Sequence, residues 1–180
     1  NYSYLQVSQC TRYFYGTPDE QPSNSIEDSI ENSKLLVLWG NNPQETRMSG
    51  GGLVFTSLEA AKTDGLKIVV IDPRYSESAS LLADEWIAPR PGTDAALVAG
   101  IVHHLIANNL HDQAFLDTYC QGFDEDHMPA GVPAGNSYRS YIEGSGPDGV
   151  AKTPEWAAAI TGVPAEVIRR FALELGTTKP

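Results

Sequence analysis

Two textures alternate along the chain: short runs that are apolar throughout, and longer stretches whose apolar residues recur three and four apart. "KLLVLWG" (34–40) and "LKIVVI" (66–71) are of the first kind, which suits strands buried on both faces of a parallel sheet. Between them a polar, loop-like stretch at 41–52 leads into "LVFTSLEAAKTDG" (53–65), a helix with Gly65 placed to end it. The strand-to-strand separation of roughly 30 residues is that of a β-α-β unit. Upstream, after the polar stretch 16–25, Ser25 with Asp28 three residues on predicts a capped helix over 25–33. Downstream the pattern predicts a short helix at 76–83, a third strand "EWIAP" (85–89) and a strong helix in "PGTDAALVAGIVHHLIANN" (91–109). Thr93 is placed to cap that helix, and Leu97, Val98, Ile101, Val102, Leu105 and Ile106 fall on one stripe.

The last third reads differently. A short helix at 112–120 is followed by a Gly- and Pro-rich stretch, 121–150, which predicts an extended connection over the surface. Thr153-Pro154 then opens a helix to Ile160 that stops near Gly162, and Pro164 opens another to Leu175 that stops at Gly176. The fold class that follows is α/β: a Rossmann-like parallel sheet with helices on both faces, plus a C-terminal helical hairpin, in a single domain over 1–180. No repeat interrupts it.

Charge narrows the partners. Twelve Lys and Arg against 23 Asp and Glu give a net −11, a field that repels nucleic-acid backbones and anionic membranes. No run approaches the roughly 18 to 20 apolar residues that cross a bilayer. The reading is therefore no nucleic acid and no direct membrane insertion. Cys10 and Cys120 fit no metal or redox spacing and read as buried free thiols. The opening "NYSYLQ" lacks a methionine, so the chain is expected to be a piece of a longer polypeptide.

In an open parallel sheet, ligands bind beyond the carboxyl ends of the strands. Three loops meet that description: "GNNPQET" (40–46), "DPRYSES" (72–78) and "RPGTD" (90–94). Asp72 can accept hydrogen bonds from a ribose or from the donor edge of guanine, and Arg74 can fork onto a phosphate. Pro73 cannot extend the ladder and turns the arginine outward. Asn41 and Asn42 tolerate left-handed backbone and offer donors and acceptors, while Gly92 permits close approach and Thr93 and Asp94 sit where helix amides emerge. Each has a plainer reading: Asp94 as a first-turn acid, Asp72 and the asparagines as turn formers, Arg74 as a surface residue. The tandem His103-His104 projects in two directions and reads as packing, and the glycines at 50–52 lack phosphate-loop spacing. These residues alone point to a nucleotide-binding α/β domain.

The strings "SKLLVLWGNNPQETRMSGGG", "KIVVIDPRYSESA", "ADEWIAPRPGTDAAL" and "GVAKTPEWAAAITGVPAEVIRRFA" together resemble the catalytic subunit of the dimethyl sulfoxide reductase family of molybdopterin oxidoreductases, in its dimethyl sulfoxide and selenate reductase branch. The resemblance runs in order over nearly the whole chain. It implies an anaerobic molybdenum reductase that removes oxygen from S-oxide, N-oxide or selenate-type acceptors. It implies a molybdenum bis(molybdopterin guanine dinucleotide) cofactor, with Gly40, Asn41, Asn42, Thr46, Asp72, Pro73, Arg74, Pro91, Gly92, Thr93 and Asp94 along its dinucleotide. "NYSYLQ" is similar to the segment that carries the family's metal-ligating serine, so Ser3 would be the catalytic residue and a ligand to molybdenum; Tyr4 departs from the small residue expected there. An iron-sulfur cluster is expected in the same subunit but outside these residues. The expected partners are the subunit's other domains, an iron-sulfur electron-transfer subunit and a membrane anchor subunit, with a periplasmic or membrane-associated location. The 180 residues alone are expected to be inactive. The alternative is a non-catalytic guanine-nucleotide-binding or protein-interaction domain; an NAD-dependent dehydrogenase is disfavoured because no glycine fingerprint follows the first strand.

Overall fold

The computed structural model describes residues 5–15, 25–47 and 52–179; Ser3, most of the polar stretch 16–25 and the glycines at 50 and 51 lie outside them. Among the described residues the elements run α1 (Leu5–Tyr15), α2 (Ile26–Asn32), β1 (Leu35–Trp39), α3 (Leu53–Thr63), β2 (Lys67–Ile71), α4 (Glu77–Leu82) and β3 (Glu85–Ile87). Then follow α5 (Asp94–Ala107), α6 (Gln113–Tyr119), a 3-10 turn (Glu125–His127), α7 (Tyr138–Glu143), α8 (Pro154–Thr161) and α9 (Ala165–Thr177).

The strands pair in parallel in the order β1-β2-β3, with Val37 beside Val69 and Ile71 beside Ile87. The central strand shows why its sequence is apolar throughout. Ile68 and Val70 join Leu38, Phe55, Leu58 and Leu82 in a core with α3 and α4, while Val69 and Ile71 join Ile87, Leu97, Ile101, Ile168 and Phe171 in a core with α5 and α9. Helices thus cover both faces. Because all three strands run the same way, all three release their chain at one edge of the sheet.

The predicted caps hold where the side chain is short and the turn local. The Ser25 hydroxyl accepts from the Asp28 N–H, the Thr153 hydroxyl accepts from the Trp156 N–H, and Gly162 ends α8 in the left-handed region (φ 77°). Five expectations change. Thr93 precedes α5, but its hydroxyl donates to the Arg90 carbonyl at 2.7 Å and caps nothing. The stripe on α5 is split: Leu97 and Ile101 face the sheet, Ile106 packs with Ile142 of α7, and Val98 is exposed, because α5 is wedged between two layers. Gly176 lies inside α9; an added Cβ there would sit 2.8 Å from Leu110 Cβ, so the glycine allows close approach rather than a stop. Cys10 is exposed and Cys120 half-buried, both free.

The fifth change concerns 121–150, which holds α7 with Ile142 fully buried. The segment is organised by Glu125. Its carboxylate gathers the hydroxyls of Ser137 and Ser140 and the N–H groups of Gly135 and Ser137, which together lower its pKa to about 2. These donors favour the charged form, so Glu125 contributes stability above about pH 4.5 that is lost as pH falls towards 2. A carbon-detected NMR titration of its carboxyl is expected to give a midpoint near the low end of that window, shifted upward in Ser140→Ala; a midpoint at the ordinary glutamate value would contradict the clamp.

Candidate functional site

The edge where the strands end carries the three loops singled out above, and each is tied to another. β1 is followed by Gly40, left-handed at φ 58°, whose N–H donates to the Ile71 carbonyl of β2. The chain then turns at Pro43, with the Glu45 and Thr46 N–H groups donating to the Asn42 carbonyl. The Asn42 side chain looks two ways: its amide donates to Glu45 Oε2 at 2.8 Å, and its oxygen accepts from the Ser78 hydroxyl at 2.6 Å. Ser78 is fully buried in α4, and its hydroxyl also accepts from the Gln44 N–H. The first loop is therefore bolted to the helix that follows the second.

In the second loop Asp72 folds back so that its carboxylate accepts from the Arg74 N–H at 2.8 Å, and Arg74 pairs with Glu45. That hydrogen bond raises the Arg74 pKa and keeps the guanidinium charged. Both side chains are more than half exposed, so solvent screens the pair and an incoming anion can displace Glu45 at little cost. The third loop is reached through Trp39, the last residue of β1, whose indole N–H donates to Asp94 Oδ1 at 2.8 Å. Arg90 fixes that loop from the other side, its guanidinium donating to the Ala159 and Ile160 carbonyls at the end of α8. Pro91 and Gly92 are exposed between these anchors, with Gly92 left-handed at φ 78°.

The structure thus brings Gly40, Asn42, Thr46, Asp72, Pro73, Arg74, Gly92, Thr93 and Asp94 to one edge, with the exposed Asn41 and Pro91 between them. Some carry structural duties: Asn42 is a bolt, the Thr46 hydroxyl donates to the Asn42 carbonyl, and Asp94 holds the indole. Three residues went unnoticed in the sequence. Trp39, Glu45 and Ser78 make these ties, and no local signal marks them, since their partners lie 29 to 55 positions away.

A large anionic dinucleotide fits this donor set on two observations. The guanidinium is exposed and weakly held. The first-turn amides of the 14-residue α5 face the edge with no capping side chain accepting from them, because Thr93 has turned away. An apolar concavity of about 590 Å³, lined by Val102, Leu116, Cys120 and Phe123, shares no residue with these loops. Asp117, Asp124 and His127 also cluster elsewhere; the His127 ring contacts Asp124 at 2.7 Å, a hydrogen bond that raises its pKa. His103 and His104 lie along α5, where burial lowers the pKa of His104.

The profile of the molybdopterin oxidoreductase family matches residues 3–174. The chain is 53% identical over 180 residues to the dimethyl sulfoxide reductase DmsA of Escherichia coli, covering all of this chain and 22% of that protein. It is 35% identical over 147 residues to the dimethyl sulfoxide/trimethylamine N-oxide reductase of Cereibacter sphaeroides, covering 79% of this chain and 16% of that one. The acetylene hydratase of Pelobacter acetylenicus superposes with a TM-score of 0.61 at 30% identity, over 84% of this chain and 18% of its own. The chain spans about a fifth of the length of the curated relatives it matches.

Proposed function

The chain belongs to the molybdopterin oxidoreductase family, and from that premise we propose that it forms part of the catalytic subunit of a molybdenum reductase, where it holds one nucleotide end of a molybdopterin guanine dinucleotide. The observation that carries this reading is the convergence of three cross-tied loops at one carboxyl edge of a parallel sheet. When bound, the cofactor supplies the redox chemistry; these residues bind and orient it. Asp72 accepts from ribose or base, Arg74 exchanges Glu45 for the diphosphate, and the amides opening α5 add partial positive charge. Gly92 lets the backbone come close. Such contacts overcome the repulsion that a net charge of −11 imposes on an anion.

The substrates proposed are S-oxides and N-oxides, after the reductases this chain is similar to, with selenate as a further acceptor. The guanine form of the cofactor, an iron-sulfur cluster elsewhere in the subunit, and electron-transfer and membrane-anchor partners belong to the same proposal, as does Ser3 as the molybdenum ligand. Among the described residues no helix is long and apolar enough to cross a membrane.

Calorimetric titration of the chain with GDP and ADP tests the reading. GDP is expected to bind about tenfold more tightly or better, as one charge-assisted hydrogen bond of about 1.5 to 3 kcal/mol would give. Asp72→Ala should remove the preference, and Arg74→Ala should weaken both nucleotides alike. Equal affinity for the two bases would favour the rival, a nucleotide-indifferent interaction domain.

A further inference from the structure

The apolar concavity between α5 and α6 takes no part in the strand-end loops, and its surroundings indicate what fills it. Its floor is Val102, Leu105 and Ile106, three and four apart on α5, and its wall is Leu116 of α6 with Cys120 and Phe123. α6 buries none of its residues: Phe115 is 53% exposed and Tyr119 74%, with their rings 5.0 Å apart. Two aromatic side chains in water beside an open apolar hollow make a patch of the kind that another chain covers. Charge narrows the choice of chain. Residues 91–138 hold six acids and no Lys or Arg, although the whole chain has 12 of those cations. Three of the acids directly follow residues that line the hollow: Asp112 after His111, Asp117 after Leu116 and Asp124 after Phe123. His127 meets Asp124 at 2.7 Å, while Asp112 and Asp117 are exposed. An apolar floor inside an acidic rim disfavours acidic partners, among them a second copy of this chain with its net −11.

We propose that this concavity receives an amphipathic helix of a separate polypeptide, apolar on one face and carrying Lys or Arg along the flanks of that face. The ridge of Val102, Leu105 and Ile106 has the spacing into which a second helix packs its own apolar side chains. Phe115 and Tyr119 then cover that helix from the α6 side, and the aspartates meet its basic flanks. A separate chain is favoured over a contact made within one fold, because a charged rim steers an encounter between two molecules, whereas permanent contacts are more uniformly apolar. The surface shares no residue with the strand-end edge, so its failure would leave the nucleotide reading untouched.

The probe is a synthetic helical peptide with leucine on one face and lysine on its flanks, titrated into the isotope-labelled chain and followed by amide chemical shifts. A counterpart with glutamate for every lysine is the control. The lysine peptide is expected to shift amides of α5, α6 and 121–123, to bind at least about tenfold more tightly than the glutamate one, and to weaken as salt is raised. Phe115→Ala combined with Tyr119→Ala, both exposed and so without effect on the melting temperature, should weaken it about tenfold. Asp112→Asn combined with Asp117→Asn, in which asparagine keeps the cap that Asp112 gives α6, should weaken it too. Shifts scattered over the acidic surface, or unchanged affinity in either double variant, would overturn the assignment. Two other occupants would also overturn it. Self-association in sedimentation that Leu116→Asp abolishes would make a second copy the cover, and protection of the α6 amides from hydrogen exchange in the full-length polypeptide without a partner would make that polypeptide's own remainder the cover; exchange there as fast as in this chain supports a separate partner.

Discussion

Replacing Lys152 by alanine is expected to destabilise the protein by about 4 kcal/mol, more than any change at the strand-end loops. Lys152 is fully buried, and its ammonium donates to the Asp148 carboxylate at 2.5 Å and to the Val150 carbonyl. It also lies over the Tyr141 ring, 4.2 Å from the centroid, with the Trp156 ring at 5.4 Å. Three losses add in the alanine variant: a cavity where the stem packed, a carbonyl without its donor, and the cation over the ring. Lys152→Met separates them, because it refills the stem volume and loses only the polar contacts; about 2 kcal/mol is expected. Asp148 is nearly half exposed, so Asp148→Asn leaves a buried ammonium still facing a carbonyl and should cost less than either. Urea unfolding of the three variants checks the order, and a methionine variant as unstable as the alanine one would show that the charge dominates, not the packing.

Gly100→Ala is expected to cost about 2 kcal/mol although alanine is the better helix former. A Cβ at Gly100 in α5 would stand 2.5 Å from the Ala157 Cβ of α8, closer than two carbons can approach, and Ala157 is completely buried. Helix propensity favours alanine by about 1 kcal/mol, whereas overpacking a rigid contact costs about 1 to 3 and here forces two helices apart. Overpacking wins, and the melting temperature should fall by about 4 to 8 °C, given about 2 to 4 °C per kcal/mol at this chain length. Ala157→Gly placed on top of Gly100→Ala returns the methyl's space from the other side and should recover part of the loss. Strict additivity of the two single changes would mean that the helices do not meet there.

Much of the fold was legible because its signals are local. An apolar run such as 66–71 needs no knowledge of its neighbours to be read as a doubly covered strand, and Ser25 and Thr153 announce helix starts through partners three residues away. Gly176 shows where such reading stops. A glycine near the end of a helix looks like a cap, and only the position of Leu110 reveals it as a contact. α7 was hidden for a similar reason: its start is held by Glu125, 12 and 15 positions upstream of Ser137 and Ser140, within a stretch whose glycines and prolines suggested a plain connection.

By itself the sequence determined the alternation of strands and helices, the two-sided burial of β2, the acidic balance, and the three loops that carry chemistry, since each depends on residue type within a window of a few turns. Tertiary structure alone decided which of those loop residues hold the edge together and which remain free to hold a ligand. Asn42 bonds to Ser78 across 36 positions and Asp94 to Trp39 across 55, whereas Arg74 keeps an exposed guanidinium. The physical reason is that a side chain's availability depends on what the fold brings within about 3 Å of its polar atoms, and pairings between distant positions leave no trace in local pattern.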